Sequence, residues 1–266
     1  MGTLIVALLL AAGPRQHLGP AVPAHVQRVV TLAPSLSEVV LALGAQDRLV
    51  GVTRFDDDPR VAKVARIGGY NDPQPEAVLG VKPDLVLAEP APSNRGPVEA
   101  LARLGVPIEA FPLTTVADIE DAIGGIAQLL GVPEKGRELD AQLEAARKQS
   151  RDKLQGKKRL RTLLVFGLEP LVVAGPGSFA VELLEDAGGE NAAAGADKPF
   201  FRWSAEAAVR SAPDLIILCG VDAPPGRPAL PGLDKTRTVH LRSTALLHPG
   251  PRLAEALGDL AVALHP

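Results

Sequence analysis

The sequence predicts an α/β fold of two similar Rossmann-like lobes, each with a mainly parallel sheet, joined by one long helix. Residues 76–87 read EAVLGVKPDLVL and residues 206–217 read EAAVRSAPDLII, so a short helix, a Pro-Asp pair and an apolar strand occur twice. The two copies are separated by about half of the 266-residue chain, which is typical of two matched lobes. We expect a ligand cleft between the lobes, because small molecules bind at domain interfaces.

Strands and helices alternate in the first half of the chain, which favours a parallel sheet covered by helices. Pro75 begins one helix at the position where a missing N–H costs nothing, and Gly44, Gly105 and Gly131 each follow a helix as its stop. The predicted strands are 28–32, 49–53, 85–88 and 108–111, and the predicted helices are 35–43, 75–81, 97–104 and 117–130.

A mostly polar helix is predicted at 134–155, where Leu139, Leu143, Ala146 and Leu154 form a thin apolar stripe. Between two repeats it reads as a rigid spacer, although a surface helix of a single domain would have the same pattern. The alternation then restarts, with strands at 163–166, 215–219 and 238–241 and helices at 178–187, 205–211 and 252–263. The predicted organisation is a lobe at 25–132, a linker helix at 133–157 and a lobe at 158–266.

The N-terminus resembles a secretory signal peptide. A ten-residue apolar run at 3–12 is too short to span a bilayer, and Val22-Pro23-Ala24 offers a small-x-small site before His25. We therefore predict removal of residues 1–24 and a periplasmic protein. No Lys or Arg precedes the run, so a mis-assigned start or an unstructured tail is the alternative. No Cys follows the run, so we expect no lipid anchor.

Composition excludes several classes of function. The net charge is −3 and no basic, aromatic-rich stretch occurs, so we expect no nucleic-acid partner. Cys219, the single cysteine, rules out an internal disulfide and lies in an apolar strand, where a buried, inert thiol is expected. No nucleophile elbow, phosphate loop or HExxH motif is present. The sequence therefore predicts a protein that is not an enzyme and has no resident cofactor or metal site.

The few aromatic residues concentrate in equivalent loops. Phe55 follows a strand, Tyr70 precedes the first repeated helix, and Phe200, Phe201 and Trp203 precede the second. Loops at the carboxyl ends of parallel strands bind ligands in open α/β sheets, and aromatic faces suit a bulky organic molecule. A single such residue would be read as a loop anchor, but five together favour ligand contact.

Several ordered blocks carry a family resemblance over residues 27–264. They are RVVTLAPSLSE from Arg28, GVT from Gly51, GGY from Gly68, the two repeats, GGEN from Gly188 and HPGPR from His248. Together they resemble the substrate-binding proteins of ABC importers for vitamin B12, siderophores and haem, and the vitamin B12-binding branch in particular. The resemblance implies two lobes joined by one backbone helix, capture of cobalamin or a related corrinoid, and delivery to a permease dimer in the inner membrane by a monomer.

The resemblance also implies roles for individual residues. Pro34, Phe55, Tyr70 and Phe200 correspond to cobalamin contacts, and Thr244 and His248 stand at contact positions where Asp and Arg are expected. Val172 and Glu89 replace an expected Phe and Trp. With Trp203, suggested by the aromatic loops, the predicted ligand-binding residues are Pro34, Phe55, Tyr70, Phe200, Trp203, Thr244 and His248.

Glu76 and Glu206 match the two acidic residues that meet arginines of the permease. A carboxylate in the first turn of a helix is also favourable on its own, by about 0.3–1 kcal/mol, and the two interpretations are compatible. Within the same class, haem or a ferric siderophore is the alternative ligand, since Tyr70 could ligate haem iron as phenolate. A two-domain α/β enzyme that uses a nucleotide is the remote alternative.

Overall fold

The computed structural model describes residues 15–154, 156–222 and 230–266, and the chain divides into two compact units. Unit 1 contains the described residues up to Leu113 together with Ala117–Asp140. Unit 2 contains Thr114–Val116 and Ala141–Pro266. Among the described residues, no helix combines the length and the apolar character needed to cross a membrane.

Unit 1 is built on a six-stranded sheet. Its strands are β1 (Gln16–Leu18), β2 (Val29–Thr31), β3 (Leu49–Val52), β4 (Ala65–Arg66), β5 (Leu85–Ala88) and β6 (Ile108–Ala110). Its helices are α1 (Pro34–Ala42), α2 (Pro75–Gly80), α3 (Arg95–Arg103) and α4 (Val116–Leu129). The strand order is β1-β6-β5-β2-β3-β4, and every neighbouring pair is parallel except β1 with β6. The predicted parallel sheet is thereby confirmed.

Continuous apolar strands explain why this sheet is covered on both faces. Val29, Val30, Leu85, Val86 and Leu87 have no exposed surface, as expected for parallel strands that pack helices on either side. The predicted stops are also confirmed, because the glycines after α1, α3 and α4 have positive φ angles, which a side chain would make costly.

Unit 2 has a mixed sheet. Its strands are β7 (Leu160–Leu168), β8 (Leu171–Ala174), β9 (Gly189–Asn191), β10 (Phe200–Arg202), β11 (Leu215–Cys219) and β12 (Arg237–Leu241). Its helices are α6 (Phe179–Asp186), α7 (Ala205–Arg210) and α8 (Leu253–Leu264). The order is β10-β8-β7-β11-β12, with β9 also paired to β7. Strands β7, β9, β11 and β12 pair in parallel, whereas β8 and β10 extend the sheet antiparallel.

The sequence repeat corresponds to a structural repeat. Each copy is a six-residue helix followed by a buried strand, α2 with β5 and α7 with β11. Between them, Lys82 and Ala212 occupy the same place in the repeat and have φ angles of 47° and 46°, a left-handed conformation that non-glycine residues rarely adopt. The shared, costly conformation shows that both copies use the same tight helix-to-strand turn.

The Pro-Asp pair anchors each copy to the preceding strand region. Asp84 Oδ2 accepts hydrogen bonds from the backbone N–H groups of Gln27 and Arg28, both at 2.9 Å. Asp214 Oδ2 accepts one from the backbone N–H of Arg161 at 3.0 Å. The guanidinium of Arg28 donates to the carbonyl of Val81, and that of Arg161 donates to the carbonyl of Ser211. Each unit therefore has an Arg that satisfies carbonyl groups at the end of its repeated helix.

The long helix α5 (Pro133–Leu154) begins among the residues of unit 1 and ends among those of unit 2, and the linker helix stays a prediction. In unit 2, Arg147 Nε donates to Asp186 Oδ2 at 2.5 Å and Arg151 Nη1 donates to Asp186 Oδ1 at 3.0 Å. The hydroxyl of Ser150 donates to the backbone carbonyl of Asp186. The helix is thus fixed by ion pairs and hydrogen bonds, which the thin apolar stripe alone did not indicate.

Short strands account for most differences from the predicted elements. β4, β9 and β10 have two or three residues each and were not predicted, and β8 was not predicted either. Strand β1 lies inside the segment expected to be a signal peptide, of which residues 1–14 lie outside the described residues. Cleavage before His25 stays a prediction, but it would remove an edge strand of the unit 1 sheet.

Candidate ligand-binding site

In unit 1, three predicted ligand contacts and Glu89, which replaces an expected Trp, follow the carboxyl ends of neighbouring parallel strands. Pro34 begins α1 after β2, Phe55 follows β3, Tyr70 follows β4 and Glu89 follows β5. These strand ends lie at one edge of the sheet, because the four strands are parallel. The sheet therefore brings these residues to the edge at which open α/β sheets bind ligands.

Phe55 is the most exposed large aromatic group at this edge. Its side chain is 53% exposed, and the guanidinium of Arg54 lies 4.9 Å from the ring centroid. Arg54 in turn donates two hydrogen bonds to the carboxylate of Asp72, at 2.8 and 3.0 Å. The Arg–Asp pair is itself exposed and adds little stability. It orients Arg54 above a ring that is free to contact a flat ligand.

Tyr70 is half-buried and keeps its phenol proton. Burial raises the pKa of Tyr70, and the negative charge of Glu89 raises it further. The loop that carries Tyr70 is fixed by backbone hydrogen bonds, from Arg54 N–H to the carbonyl of Gly68 at 2.8 Å and from Gln74 N–H to that of Ile67 at 2.8 Å. Tyr70 is therefore a fixed, neutral aromatic hydroxyl and not a ready phenolate.

Glu89 is a half-buried carboxyl at the end of β5. Burial raises the pKa of Glu89 to about 7, so its carboxyl group takes up a proton near neutral pH. A small cavity of about 20 Å³, roughly the space for one water, is lined by Glu89 with Gln16, Leu18, Asn94 and others. Asn94 Nδ2 donates to the backbone carbonyl of Glu89 at 3.0 Å. The sequence alone does not predict this environment, because it involves residues distant along the chain, such as Gln16 and Leu18.

In unit 2, Phe200 belongs to an aromatic cluster. Its ring centroid lies 5.3 Å from that of Phe166 in an edge-to-face arrangement and 5.8 Å from that of Phe179. Phe179 is buried, whereas Phe166 and Phe200 keep part of their surface exposed. Phe166 was missed as a candidate contact, since it was assigned to the end of a predicted strand at 163–166 and not to a loop. The cluster offers an apolar aromatic surface within unit 2.

Trp203 belongs to a different surface from Phe200. Strand β10 alternates its side chains, so Phe200 and Phe201 point to opposite faces. The rings of Phe201 and Trp203 lie 5.8 Å apart, and both pack against the apolar core of unit 2. The structure therefore does not bring Trp203 together with Phe200, although the sequence grouped the two.

Thr244 and His248 share one turn after β12. The backbone N–H groups of Leu247 and His248 donate to the carbonyl of Thr244 at 2.8 and 3.2 Å. Arg252 Nη2 donates to Thr244 Oγ1 at 2.7 Å. Both predicted contacts are half-buried and lie after the carboxyl end of a parallel strand, as Pro34, Phe55 and Tyr70 do in unit 1.

Glu76 and Glu206 are exposed in the first turns of α2 and α7. Ser204 is the N-cap of α7, and its hydroxyl accepts a hydrogen bond from the N–H of Ala207 at 3.1 Å. Hydrogen bonds from its own backbone N–H and from Ser204 hold the pKa of Glu206 below its ordinary value, with a smaller contribution from the charge of Arg210. The two carboxylates thus occupy equivalent, solvent-facing positions, one in each unit.

Two kinds of reactive group can be checked among the described residues, the thiol and metal-ligating clusters. The predicted inert thiol is confirmed, because Cys219 is 1% exposed and burial raises its pKa to about 12. Among residues 15–154, 156–222 and 230–266, no group of three or more His, Cys, Asp or Glu side chains is arranged to hold a metal ion. What the described residues can do is contact an organic molecule through rings, a phenol and a carboxyl.

Comparison with known proteins decides the family. The sequence profile described as "Periplasmic binding protein" matches residues 29–226. The chain belongs to this family. Its members are substrate-binding proteins rather than enzymes, they are periplasmic, and they act with a membrane permease on a small-molecule ligand. The resemblance found in the sequence is thereby confirmed, as is a substrate-binding role for an ABC importer.

Similar proteins agree with this assignment. The vitamin B12-binding protein of Yersinia pestis (strain Pestoides F) is 30% identical over 198 residues, which are 74% of this chain and 71% of that protein. The solved periplasmic vitamin B12 binding protein BtuF of Vibrio cholerae matches with a TM-score of 0.78 at 23% identity, over 91% of this chain and 98% of that one. The periplasmic haem-binding protein RhuT of Roseiflexus sp. RS-1 matches with a TM-score of 0.75 at 28% identity, over 90% and 98%.

Proposed function

We propose that this protein captures cobalamin or a related corrinoid in the periplasm and delivers it to an ABC permease in the inner membrane. The main support is the edge of unit 1, where an exposed phenylalanine, a neutral tyrosine and a half-buried carboxyl follow the carboxyl ends of parallel strands of one sheet. A corrin ring needs broad apolar contact, and its amide side chains need neutral hydrogen-bonding groups. The similarity to vitamin B12-binding proteins supports the same ligand class.

Each unit contributes its own residues to this proposal. Pro34, Phe55 and Tyr70 act from unit 1, and Phe200 acts from unit 2 with Phe166 beside it. Thr244 and His248 lie at the equivalent strand-end position of unit 2. Trp203 packs with the core of unit 2, so we assign it a reporting role through its fluorescence rather than a central contact.

Haem is the second candidate ligand, and it is favoured by the presence of the Tyr70 phenol at the candidate site. A phenolate can bind ferric haem iron, and the haem-binding RhuT is similar over 90% of this chain. Forming that phenolate is opposed here, since burial and the charge of Glu89 both raise the pKa of Tyr70. An iron ion would have to overcome both effects, whereas a corrinoid can use the neutral hydroxyl as it is.

Tyr70→Phe separates the two ligands. The protein is titrated with cyanocobalamin and with haemin, and binding is followed by visible absorbance and by quenching of Trp203 fluorescence. If the corrinoid is the ligand, wild type binds cyanocobalamin and the variant retains most of that affinity, because the ring survives. If the wild type binds only haemin, and Tyr70→Phe no longer binds it, the ligand is haem and not a corrinoid.

The docking role is part of the proposal. Glu76 and Glu206 are exposed at equivalent positions of the two units, which suits a permease dimer that presents a basic pocket on each subunit. Exposed charges of this kind set encounter and orientation more than ligand affinity. We propose that the protein acts as a monomer and that any export signal is removed.

A further inference from the structure

The segment before the first predicted strand is part of the unit 1 sheet. In β1, Gln16, His17 and Leu18 pair antiparallel with Ala110, Glu109 and Ile108 of β6. Without β1, the backbone groups of β6 on that side would become an open sheet edge, which is a site for unwanted pairing. The segment therefore completes the sheet in the region assigned from sequence to a removable signal.

A buried carboxylate depends on the same segment. The side chain of Glu109 is 8% exposed, and its two oxygens accept hydrogen bonds from Arg15 Nε at 2.8 Å and from His17 Nδ1 at 2.9 Å. Both donors lie within the first 24 residues. Removing residues 15–24 would take away both hydrogen-bond partners of this carboxylate and uncover the edge of β6 that carries it.

Packing adds to these hydrogen bonds. Leu18 contacts the apolar core of unit 1, and the guanidinium of Arg15 lies 4.8 Å from the ring centroid of Phe111. Gly19 turns the chain with a φ of 82°, and a Cβ at this position would lie 2.3 Å from the carbonyl oxygen of Val106. This turn needs glycine for both conformation and space.

We propose that residues 15–24 are a permanent part of the folded protein, and that any cleavage during export falls before Arg15. The sequence offers small residues for such a site, because Ala11 and Ala12 end the apolar run and Gly13 follows it. Retention also matters for the candidate site, since Gln16 and Leu18 line the cavity beside Glu89. The proposal does not depend on the identity of the ligand.

N-terminal sequencing and intact mass of the protein recovered from the periplasm test this directly. An N-terminus at Arg15 or at any earlier residue supports the proposal, including a chain that is not cleaved. An N-terminus at Gln16 or beyond, and at His25 in particular, overturns it. The measurement is made on the exported full-length gene product, so it does not require a truncated chain to fold.

Point variants of the full chain provide a second test. Arg15→Ala should lower the thermal midpoint by roughly 2–8 °C, since it removes one of the two hydrogen-bond partners of a buried carboxylate. Adding Glu109→Gln should recover much of that loss, because a neutral amide leaves no unpaired charge. His25→Ala, on an exposed residue of the same segment, is the control. If Arg15→Ala melts with the control, the ion pair does not hold the segment and the proposal fails.

Discussion

Replacing Glu89 with Gln should stabilise the folded protein above neutral pH and change little below about pH 5. Burial raises the pKa of Glu89 from an ordinary 4.5 to about 7. Each pKa unit corresponds to about 1.4 kcal/mol, so the penalty for the ionised group reaches roughly 3 kcal/mol as an upper limit. Water reaches a half-buried carboxyl, which reduces the penalty, and we expect about 1–3 kcal/mol.

The direction of the effect follows from proton binding. Below the ordinary pKa, Glu89 is protonated in both the folded and the unfolded chain, and the variant gains nothing. As the pH rises from 4.5 towards 7, the unfolded chain releases its proton first, so the wild type loses stability over that window. Above it the penalty is constant, and Glu89→Gln, which has no proton to release, escapes it.

Urea denaturation followed by circular dichroism between about pH 4.5 and 8.5 measures this difference. Glu76→Gln, a change at an exposed glutamate of α2, is the matched control for losing one negative charge. The free energy of unfolding of Glu89→Gln should separate from that of the wild type as the pH rises, while the control should run parallel. Equal stabilities for Glu89→Gln and wild type at about pH 8 would refute the buried, proton-binding carboxyl.

Three further changes test the remaining parts of the account. Tyr70→Ala should weaken cobalamin binding by about 1–3 kcal/mol in an equilibrium titration, and an unchanged affinity would remove Tyr70 from the site. Glu76→Ala combined with Glu206→Ala should leave ligand binding intact but reduce transport by the reconstituted importer. Normal transport would show that the two glutamates only stabilise the starts of their helices. Lys82→Gly and Ala212→Gly should each stabilise the fold by up to about 1 kcal/mol, by relieving a positive φ angle. Lower denaturation midpoints for both would contradict that strain.

The repeat made the architecture predictable from sequence. It contains its own helix start, its Pro-Asp pair and a continuous apolar strand, and all three are local signals. Strands β5 (Leu85–Ala88) and β11 (Leu215–Cys219) were predicted with the observed bounds. The left-handed turn at Lys82 and Ala212 was not foreseen, because nothing in those side chains favours the conformation. It is imposed by the helix and strand on either side.

Properties that depend on distant contacts were beyond the sequence. The apolar run before residue 15 drew attention to export, whereas β1 is recognised only from its pairing with β6. Phe200 and Trp203 are close in sequence, but the alternation of β10 separates their faces. The resemblance places Glu89 where a Trp is expected, but the raised pKa of its carboxyl group follows only from its burial. In each case, tertiary packing decided the environment of the side chain.

Calorimetric titration of the purified protein with cyanocobalamin tests whether the ligand is a corrinoid. We expect saturable heat with one corrinoid per chain, and a clear reduction in affinity when Tyr70 is replaced by Ala. No heat with cyanocobalamin, together with saturable binding of haemin by the same preparation, would contradict the corrinoid assignment and leave a haem-binding member of the family.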